Sequence, residues 1–443
     1  MATNILPLPP GDQIKAHILK ALDPYWDNQP GLIEQLPVKK LDNFSIQLPL
    51  TLVEVELPEW AVNSGIDGKI LLPSEICRHS SCNWENVDWW LGAFLLLEAW
   101  HEREFEEENG SIHSYSFRLK EWDSRAWDHA WVNRIGMFLR AWAVHRNGIE
   151  ETKSFSDLRE AEILMTHDVD AVAKTLPIRL KQCAFNIYKA AGTIKQGKYR
   201  SFLPCMGKAF TFLAGNEDWW KLDAVIQLEQ KAGIRSWFNF YADDRSKTIK
   251  RWLFDPGYNV SCNRIIQFIN TSISNGWSIG LHPGFDSWND QAIIAAQKER
   301  LNVTTGQSVS GCRQHWLRFG WGKTWSAQVQ AGLELDTTLM FNDRPGFRAS
   351  AALNWHPWNT GKMTTYKLTE LPTILMDSHF YDYQEMDEIT RPLSLKKYID
   401  EVRLVNGKAA VLWHPHTLSE DYGWKSGFEE LLELIKDIGH SFQ

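Results

Sequence analysis

Apolar and polar residues change their spacing along the chain, and the change separates two regions. In residues 43–60 apolar and polar positions partly alternate, and 68–73 form a short apolar run, both typical of strands. Residues 87–107 and 129–146 carry apolar side chains at three- and four-residue intervals with charges between them, which predicts two amphipathic helices. Residues 147–160 are polar and mark a domain boundary.

After this boundary, short apolar runs alternate with longer helical stretches. This alternation is typical of β/α units around a parallel sheet or barrel. Several runs end in His, Asp or Arg, and catalytic groups collect at the C-terminal strand ends of a (β/α) barrel. We therefore predict an α/β fold with an N-terminal α+β domain over 1–155 and a barrel over 156–443. The predicted strands are 161–170, 235–242, 278–283, 312–317, 335–341, 371–377 and 409–416.

The composition of the chain excludes several classes of protein. Of its 443 residues 44% are hydrophobic and 23% are charged, as in ordinary globular proteins, which argues against general disorder. The formal net charge of −8 argues against a broad phosphate-binding surface, so nucleic acid is not an expected partner. No apolar stretch is long enough to span a bilayer, and the N-terminal residues lack the pattern of a signal peptide, so we expect a cytoplasmic protein. The six cysteines contain no C-x-x-C pair and are expected to be reduced thiols.

The run ILMTHDVD (163–170) is the first candidate for chemistry. A strand that only filled a core would not normally end in two carboxylates, because buried charge is costly unless it is paired or bound to metal. Alternate residues of a strand share a face, so Thr166, Asp168 and Asp170 are expected on one side and His167 on the other. Two neighbouring carboxylates can divide the work, one holding a cation and the other acting as a base. The alternative for this segment is a helix N-cap with a surface aspartate.

Three later segments place imidazole and guanidinium groups at predicted strand ends. SIGLHPGFD supplies His282 and Asp286, which are reasonable ligands for a divalent ion. GCRQHWLRF contains Arg313, and VLWHPH contains His414. An arginine beside a carboxylate lowers the pKa of the carboxylate and fixes its direction, and a histidine can donate a proton to a leaving group near neutral pH. The order of the segments on one chain is a stronger signal than any one of them.

In that order, THDVD, GLHPGFD, CRQHW and VLWHPH resemble the motifs of the polysaccharide deacetylase superfamily, the NodB-homology carbohydrate esterases. They look most like a divergent bacterial branch whose first motif reads H-D-V-D. The resemblance covers residues 161–443 and, more weakly, the N-terminal region. It implies a distorted (β/α) barrel of the polysaccharide deacetylase type with a smaller α+β N-terminal domain. It also implies a hydrolase of amide bonds that removes an acetyl group from an N-acetylated sugar with the help of a divalent metal ion.

The resemblance assigns a role to each matching residue. Asp168 would be the general base, Arg313 would orient it, and His414 would be the general acid. Asp170 and His282 would be metal ligands. Zinc is the first expectation for the metal, with manganese, iron, cobalt and magnesium as alternatives. The expected partner is an N-acetylated carbohydrate, including nucleotide- or lipid-linked precursors that a cytoplasmic enzyme can reach.

The sequence departs from the family pattern in two motifs. Metal-dependent members usually carry a second histidine in the second motif, where this chain has Asp286, our expected third ligand. In the third motif His315 stands where a proline is common, and it could replace a ligand, contact substrate or be structural. If Asp286 faced solvent, the chain could be a metal-free hydrolase or a non-catalytic carbohydrate-binding protein. A third alternative is an amidohydrolase that acts on a non-sugar amide. Trp288, Trp316 and Trp355 are expected to offer aromatic surfaces to sugar rings. Trp321 is a further candidate for stacking on a sugar ring, and His379 is a further candidate for lining the pocket.

Overall fold

The structure is a computed structural model, in which residues 6–27, 29–39, 44–62, 66–77, 82–195 and 202–439 are described. Their contacts group them into two compact units. The first unit holds the residues up to 164, residues 316–411 and those from 437 onwards, and the second holds 165–315 and 412–436. This grouping does not follow the boundary expected near residue 155, and the proposed division into 1–155 and 156–443 stays a prediction.

The N-terminal part of the first unit is helical and contains one small antiparallel sheet. Its helices are α1 (Gly11–Ala21), α2 (Gly31–Glu34), α3 (Glu59–Val62), α4 (Trp89–Leu97), α5 (Trp100–Asn109), α6 (Trp131–Asn147) and α7 (Glu151–Ser154). Its strands are β1 (Leu52–Glu56) and β2 (Lys69–Pro73). The helix predicted over 87–107 is divided between α4 and α5 at Ala99, whose φ of 43° interrupts the helix. Of the strand predicted over 43–60, residue 43 lies outside the described residues, and within 44–60 the strand is present only as β1.

An aromatic core joins these helices to residues 319–368 within the first unit. Trp321 and Trp325 are buried in one cluster with side chains of α4 and α6. Glu98 and Arg103 form an ion pair inside the same core, where both side chains are almost fully buried. Because so much apolar surface is shared, residues far apart in the sequence belong to one unit.

The remaining elements alternate strands with helices. In chain order they are β3 (Glu162–Val169), α8 (Leu176–Lys195), α9 (Phe202–Ala214), α10 (Leu222–Ala232), β4 (Trp237–Phe240), α11 (Ile249–Phe254), α12 (Asn263–Ser274), β5 (Ser278–Leu281), α13 (Gln291–Thr305), β6 (Gly311–Cys312), α14 (Thr324–Gln330), β7 (Leu335–Asp336), β8 (Trp358–Asn359), β9 (Thr364–Thr365), β10 (Thr369–Glu370), β11 (Thr373–Met376), α15 (Thr390–Leu404), β12 (Lys408–Leu412) and α16 (Lys425–Ile435).

Eight of these strands form one sheet, in the order β10-β7-β6-β5-β4-β3-β12-β11. Strands β3, β4, β5 and β6 pair in parallel, as do β10 and β7. Each of the seven strands predicted from the sequence overlaps an observed strand. Parallel strands joined by helices confirm the α/β class, and the strand order fits the (β/α) barrel that was expected.

The cysteines differ from the expectation in one place. Cys77 and Cys82 form a disulfide, so the prediction of reduced thiols is wrong for this pair, and the other four cysteines are thiols. Disulfides persist mainly in oxidising compartments, so this pair weighs against the expected cytoplasmic location, which stays a prediction.

Among the described residues, no helix combines the length and the apolar character needed to cross a membrane.

Glu401 of α15 forms a buried ion pair with Arg134 of α6. Arg134 donates from Nε to Oε1 at 2.9 Å and from Nη2 to Oε2 at 2.7 Å, and His129 Nδ1 lies 2.8 Å from Oε2. Burial raises the pKa of Glu401, but these hydrogen bonds and charges outweigh it and bring the pKa down to about 2. The ionised form is therefore favoured in the folded protein over the unfolded chain.

Replacing Glu401 by glutamine is expected to cost about 3 kcal/mol of unfolding free energy at about pH 6, because a pKa that is lower in the folded state stabilises it at higher pH. This contribution is present above the ordinary carboxyl pKa and is lost as the pH falls towards 2. At about pH 3 the difference between wild type and variant should fall to about half. Urea unfolding of both proteins at the two pH values measures this difference in unfolding free energy.

The control for this prediction is Asp400→Asn on the same helix. Asp400 is well exposed and pairs with Lys396, and exposed pairs contribute little. Its substitution should change the unfolding free energy by less than about 1 kcal/mol at either pH. A Glu401→Gln effect that did not shrink at low pH would contradict the assignment of the stabilisation to the ionised carboxylate.

Candidate active site

Strand β3 directs its successive side chains to opposite faces of the sheet. On one face, Arg313 Nη1 donates to Thr166 Oγ1 at 2.8 Å and to Asp168 Oδ1 at 3.1 Å. On the other face, His167 Nε2 lies 2.8 Å from Glu229 Oε1, and both side chains are fully buried. The alternation predicted for this strand is confirmed, and it brings Asp168 and Arg313 together.

Two donors hold the buried carboxylate of Asp168 at the same oxygen. Asn239, its register partner on β4, donates from Nδ2 to Oδ1 at 2.8 Å, and Arg313 donates to Oδ1 as well. Burial raises the pKa of Asp168, but the charges of Arg313 and then of His282 hold it below its usual value. The carboxylate is therefore ionised and fixed in direction, with Oδ2 turned away from both donors.

Gly280 on β5 makes room for the Asn239 side chain. The two residues are register partners, and a Cβ at position 280 would collide with the amide oxygen of Asn239. The same Cβ would collide with the indole of Trp237, so a larger residue at 280 would disturb both Trp237 and Asn239, one of the two donors to Asp168.

Asp170 follows β3 directly and faces three imidazoles. Its Oδ1 lies 3.1 Å from His282 Nε2 and 3.5 Å from His315 Nε2, and its Oδ2 lies 3.6 Å from His414 Nε2. Oδ1 is buried and accepts no hydrogen bond from the part of the chain that the structure describes. Burial raises the pKa of Asp170, but the charge of His315 and the contact with His282 bring it well below its usual value.

The other ring nitrogens of two of these histidines face acceptors. His282 Nδ1 lies 2.7 Å from the main-chain oxygen of Arg313, which can only accept, so Nδ1 carries the hydrogen and a neutral ring presents a lone pair at Nε2. His315 Nδ1 lies 3.4 Å from Asp255 Oδ1, so in a neutral ring Nδ1 carries the hydrogen and Nε2 presents the lone pair. Histidines that bind metal ions are usually oriented in this way.

These residues fit a divalent cation. One donor atom from each of Asp170, His282 and His315 lies within 4.8 Å of the other two. Asp168 and Asp170 also raise the pKa of His282 above its usual value, although burial lowers it, so the position attracts positive charge. A buried carboxylate oxygen next to the Nε2 atoms of two imidazoles is a donor set that a first-row divalent ion can satisfy.

Asp286, the expected third ligand, lies outside this cluster. Its Oδ1 is 2.8 Å from Lys250 Nζ, and about a third of the side chain is exposed (31%). Phe285, the residue before it, points inward and stacks on Phe254, with ring centroids 4.6 Å apart. The following side chain is therefore directed outward, and His315 supplies the third donor atom instead.

His414 completes the group of imidazoles near Asp170. It follows β12, which lies beside β3: Trp413 N donates to Thr166 O at 3.0 Å. The Thr417 hydroxyl donates to the main-chain oxygen of His414 at 2.7 Å and fixes the turn. The His414 side chain is 17% exposed, so this ring can be reached from outside.

The structure shows site residues that the sequence motifs did not reveal. Asn239 is a polar side chain inside an apolar strand, a signal that was visible in the predicted strand 235–242. Asp255 precedes Pro-Gly and reads as an ordinary turn residue, yet it contacts His315. The Tyr258 hydroxyl accepts a hydrogen bond from Tyr241 N at 2.7 Å, and burial raises the pKa of Tyr258, to which the charge of Asp170 adds.

Two of the tryptophans considered for sugar binding are core residues. Trp355 is 3% exposed, and its Nε1 lies 3.1 Å from the buried Glu98 Oε1, which corrects its prediction as a substrate contact. Trp321 is also buried and donates to Glu102 Oε2 at 3.1 Å. Both indoles use their single donor inside the aromatic core of the first unit.

Of the remaining candidates, His379 is a structural residue, whereas Trp288 and Trp316 are partly exposed. Burial lowers the pKa of His379 to about 4, and its Nε2 bonds the main-chain oxygen of Phe341, as expected for a structural residue. Trp288 and Trp316 are half-buried, and their contact with sugar stays a prediction. Trp316 follows His315 directly and has a φ of 57°.

The structure thus defines an α/β protein in which a buried carboxylate and a candidate cation site lie at the ends of parallel strands. No family model matches the chain, and no curated protein matches it significantly. Among solved structures, a candidate polysaccharide deacetylase from Mycobacterium smegmatis is similar, with 15% identity and a TM-score of 0.39 over 65% of this chain and 89% of that one.

Two further solved structures are similar at the same remote level. A chitin deacetylase from Colletotrichum lindemuthianum has 14% identity and a TM-score of 0.32, covering 64% of this chain and 85% of its own. A carbohydrate esterase family 4 pseudoenzyme from Bacillus anthracis has 10% identity and a TM-score of 0.28, covering 63% and 64%. The names of these structures agree with the family that the motifs resemble.

Proposed function

We propose that this chain is a metal-dependent deacetylase that hydrolyses the N-acetyl group of a sugar or polysaccharide precursor. The observation that carries the proposal is the convergence of Asp168, Asp170, His282, His315 and His414 at the ends of adjacent parallel strands. These side chains include a fixed base, a set of cation donors and an imidazole that can be reached from outside.

Asp170, His282 and His315 would hold the metal ion. One carboxylate oxygen and two imidazole nitrogens suit zinc, and also manganese, iron or cobalt, better than magnesium, which prefers oxygen ligands. A divalent ion held there would lower the pKa of a water molecule and polarise the carbonyl of the acetyl group.

The protein's own side chains would move the protons. Oδ2 of Asp168 accepts the proton of the attacking water, while Arg313 and Asn239 keep the carboxylate from turning. His414 lies on the other side of Asp170 and donates a proton to the departing amine. Base and acid are thus separated, as hydrolysis of an amide requires.

The metal-free and non-catalytic alternatives arose because Asp286 replaces a histidine of the family. That reason weakens when His315 supplies an imidazole at the cluster and Asp286 pairs with Lys250. No observation of the described residues favours either alternative over hydrolysis.

The test of the proposed function is acetate release from a panel of N-acetylated sugars. The panel contains nucleotide-linked, lipid-linked and oligomeric substrates, and the protein is assayed as purified, after chelation, and after zinc, manganese, cobalt or ferrous iron is added back. We expect release from at least one substrate, loss of release on chelation, and recovery with one of the metals. The proposal is wrong if no substrate is cleaved by protein shown to contain metal.

A further inference from the structure

Helices α8 and α9, which follow the first site motif, expose apolar side chains that a globular surface would normally hide. Leu176, Leu180, Ile187 and Ile194 of α8 are all at least 45% exposed. They recur at intervals of four and seven residues, so they form a stripe along one face of the helix. Tyr188, at 77%, lies beside this stripe.

Helix α9 repeats the pattern. Leu203, Met206, Phe210 and Leu213 are spaced by three and four residues, and Leu203 and Phe210 are 76% and 70% exposed. The two helices pack against each other, so their opposite faces are left to solvent. Helix α11 packs on α8 and adds Ile249 at 81%. We call the exposed apolar side chains of α8, α9 and α11 the apolar face.

The segment that carries most of the apolar face has an unusual charge. Residues 171–216 contain eight Lys and Arg residues and neither Asp nor Glu, whereas the whole chain has a net charge of −8. The rest of the chain therefore carries a formal charge of −16. Among the described side chains, Lys208 is exposed and Lys189 is half-buried over the Phe185 ring.

We propose that the apolar face docks this protein onto an anionic phospholipid surface. Amphipathic helices with Lys and Arg beside Leu, Phe and Tyr bind in the interfacial plane of membranes, with their apolar side chains among the upper acyl chains. Lys189 and Lys208 belong to the part of this segment that can supply the attraction, whereas the charge of Lys174 is taken up by a buried ion pair with Asp421. A nucleic acid would neutralise the same charge but would leave the exposed Leu, Ile and Phe side chains in water.

The site lies close to this face along the chain. Helix α8 begins six residues after Asp170, and both belong to the second unit. The docking proposal does not depend on the deacetylase proposal, since it concerns binding and not turnover.

The experiment is co-sedimentation of the full chain with two kinds of vesicle, phosphatidylcholine alone and phosphatidylcholine mixed with phosphatidylglycerol. We expect sedimentation with the anionic vesicles only, weakened by added salt. Leu203→Ser combined with Phe210→Ser should lower the partition coefficient by about tenfold or more, because each apolar side chain withdrawn from the interface reduces binding. Lys189→Glu combined with Lys208→Glu should lower it similarly.

Each variant has a matched control elsewhere on the surface. Val303 and Ile389 are 76% and 75% exposed, so Val303→Ser with Ile389→Ser removes two similarly exposed, somewhat smaller apolar side chains away from α8 and α9. Lys362→Glu with Lys367→Glu makes the same change in net charge at exposed positions. Both controls should sediment as wild type does, and thermal unfolding shows whether every variant is folded.

Three results would overturn the docking proposal. One is no sedimentation of folded wild type with anionic vesicles. Another is equal binding to neutral and anionic vesicles. The third is a wild-type dimer in analytical ultracentrifugation that the Leu203→Ser and Phe210→Ser changes dissociate without any vesicle binding, since the apolar face would then be an interface between two copies of the chain. Acetate release plays no part in these readouts.

Discussion

Asp168→Asn should lower the rate of acetate release by about a thousandfold, because the amide cannot accept the proton of the attacking water. The substitution keeps the size of the side chain, and its oxygen can still accept hydrogen bonds from Arg313 and Asn239. The rate is measured at saturating metal and substrate, and the melting temperature is measured on the same preparation. A folded variant with wild-type activity would remove Asp168 from the mechanism.

Two further variants separate the position of the carboxylate from its charge. Asp168→Glu keeps the negative charge that faces the buried Arg313 but moves the carboxylate by one methylene, so activity should still fall strongly. Asp286→Asn makes the same chemical change at a carboxylate that pairs with Lys250 outside the cluster, and it should keep activity within about twofold. Loss of activity in Asp286→Asn would show that Asp286 takes part in the reaction, although it lies outside the cluster in the structure.

His315→Ala is expected to abolish tight binding of the metal ion, since it removes one of three donor groups. We expect about one ion per wild-type chain and an affinity lowered more than about a hundredfold in the variant. Elemental analysis and competition with a chromogenic chelator measure stoichiometry and affinity. Asp286→Ala should bind metal as the wild type does.

The pair of variants decides between two ligand sets. Loss of metal in Asp286→Ala with retention in His315→Ala would restore the set that the family pattern suggested, Asp170 with His282 and Asp286. Retention in both would assign binding to Asp170 and His282 alone. Unfolding measurements on the metal-free proteins guard against a variant that loses metal only because it loses its fold.

Much of the fold could be predicted from the sequence, because the parallel strands are short apolar runs with polar ends. Strand β3 shows why this works: from Ile163 to Asp168 every side chain is buried, and the two faces still differ in chemistry. The short strands β8, β9 and β10 were missed, since two residues carry no periodic signal.

The candidate site could be predicted only in part. Asp168, Asp170, His282 and His414 lie near the C-terminal ends of predicted strands, Arg313 lies within one, and polar residues that close an apolar run are visible in the sequence. The role of His315 depends on the direction in which a loop leaves its strand, and the direction of Asp286 is set by the stacking of Phe285, neither of which spacing reveals. Trp355 shows a different limit, because burial in a core and stacking on a sugar both need an aromatic residue.

The two faces of β3 also protect the alignment of this strand during folding. A slip by one residue would bring Asp168 against Glu229 and the imidazole of His167 against Arg313, so that two carboxylates met on one side and two basic groups on the other. Glu229 also accepts hydrogen bonds from Ser236 and Trp277, which hold its carboxylate in place, so it cannot turn away from Asp168 without breaking them. A carboxylate remote from the reaction thus penalises the misregistered sheet, and its loss should appear as slow or heterogeneous refolding before it appears in turnover.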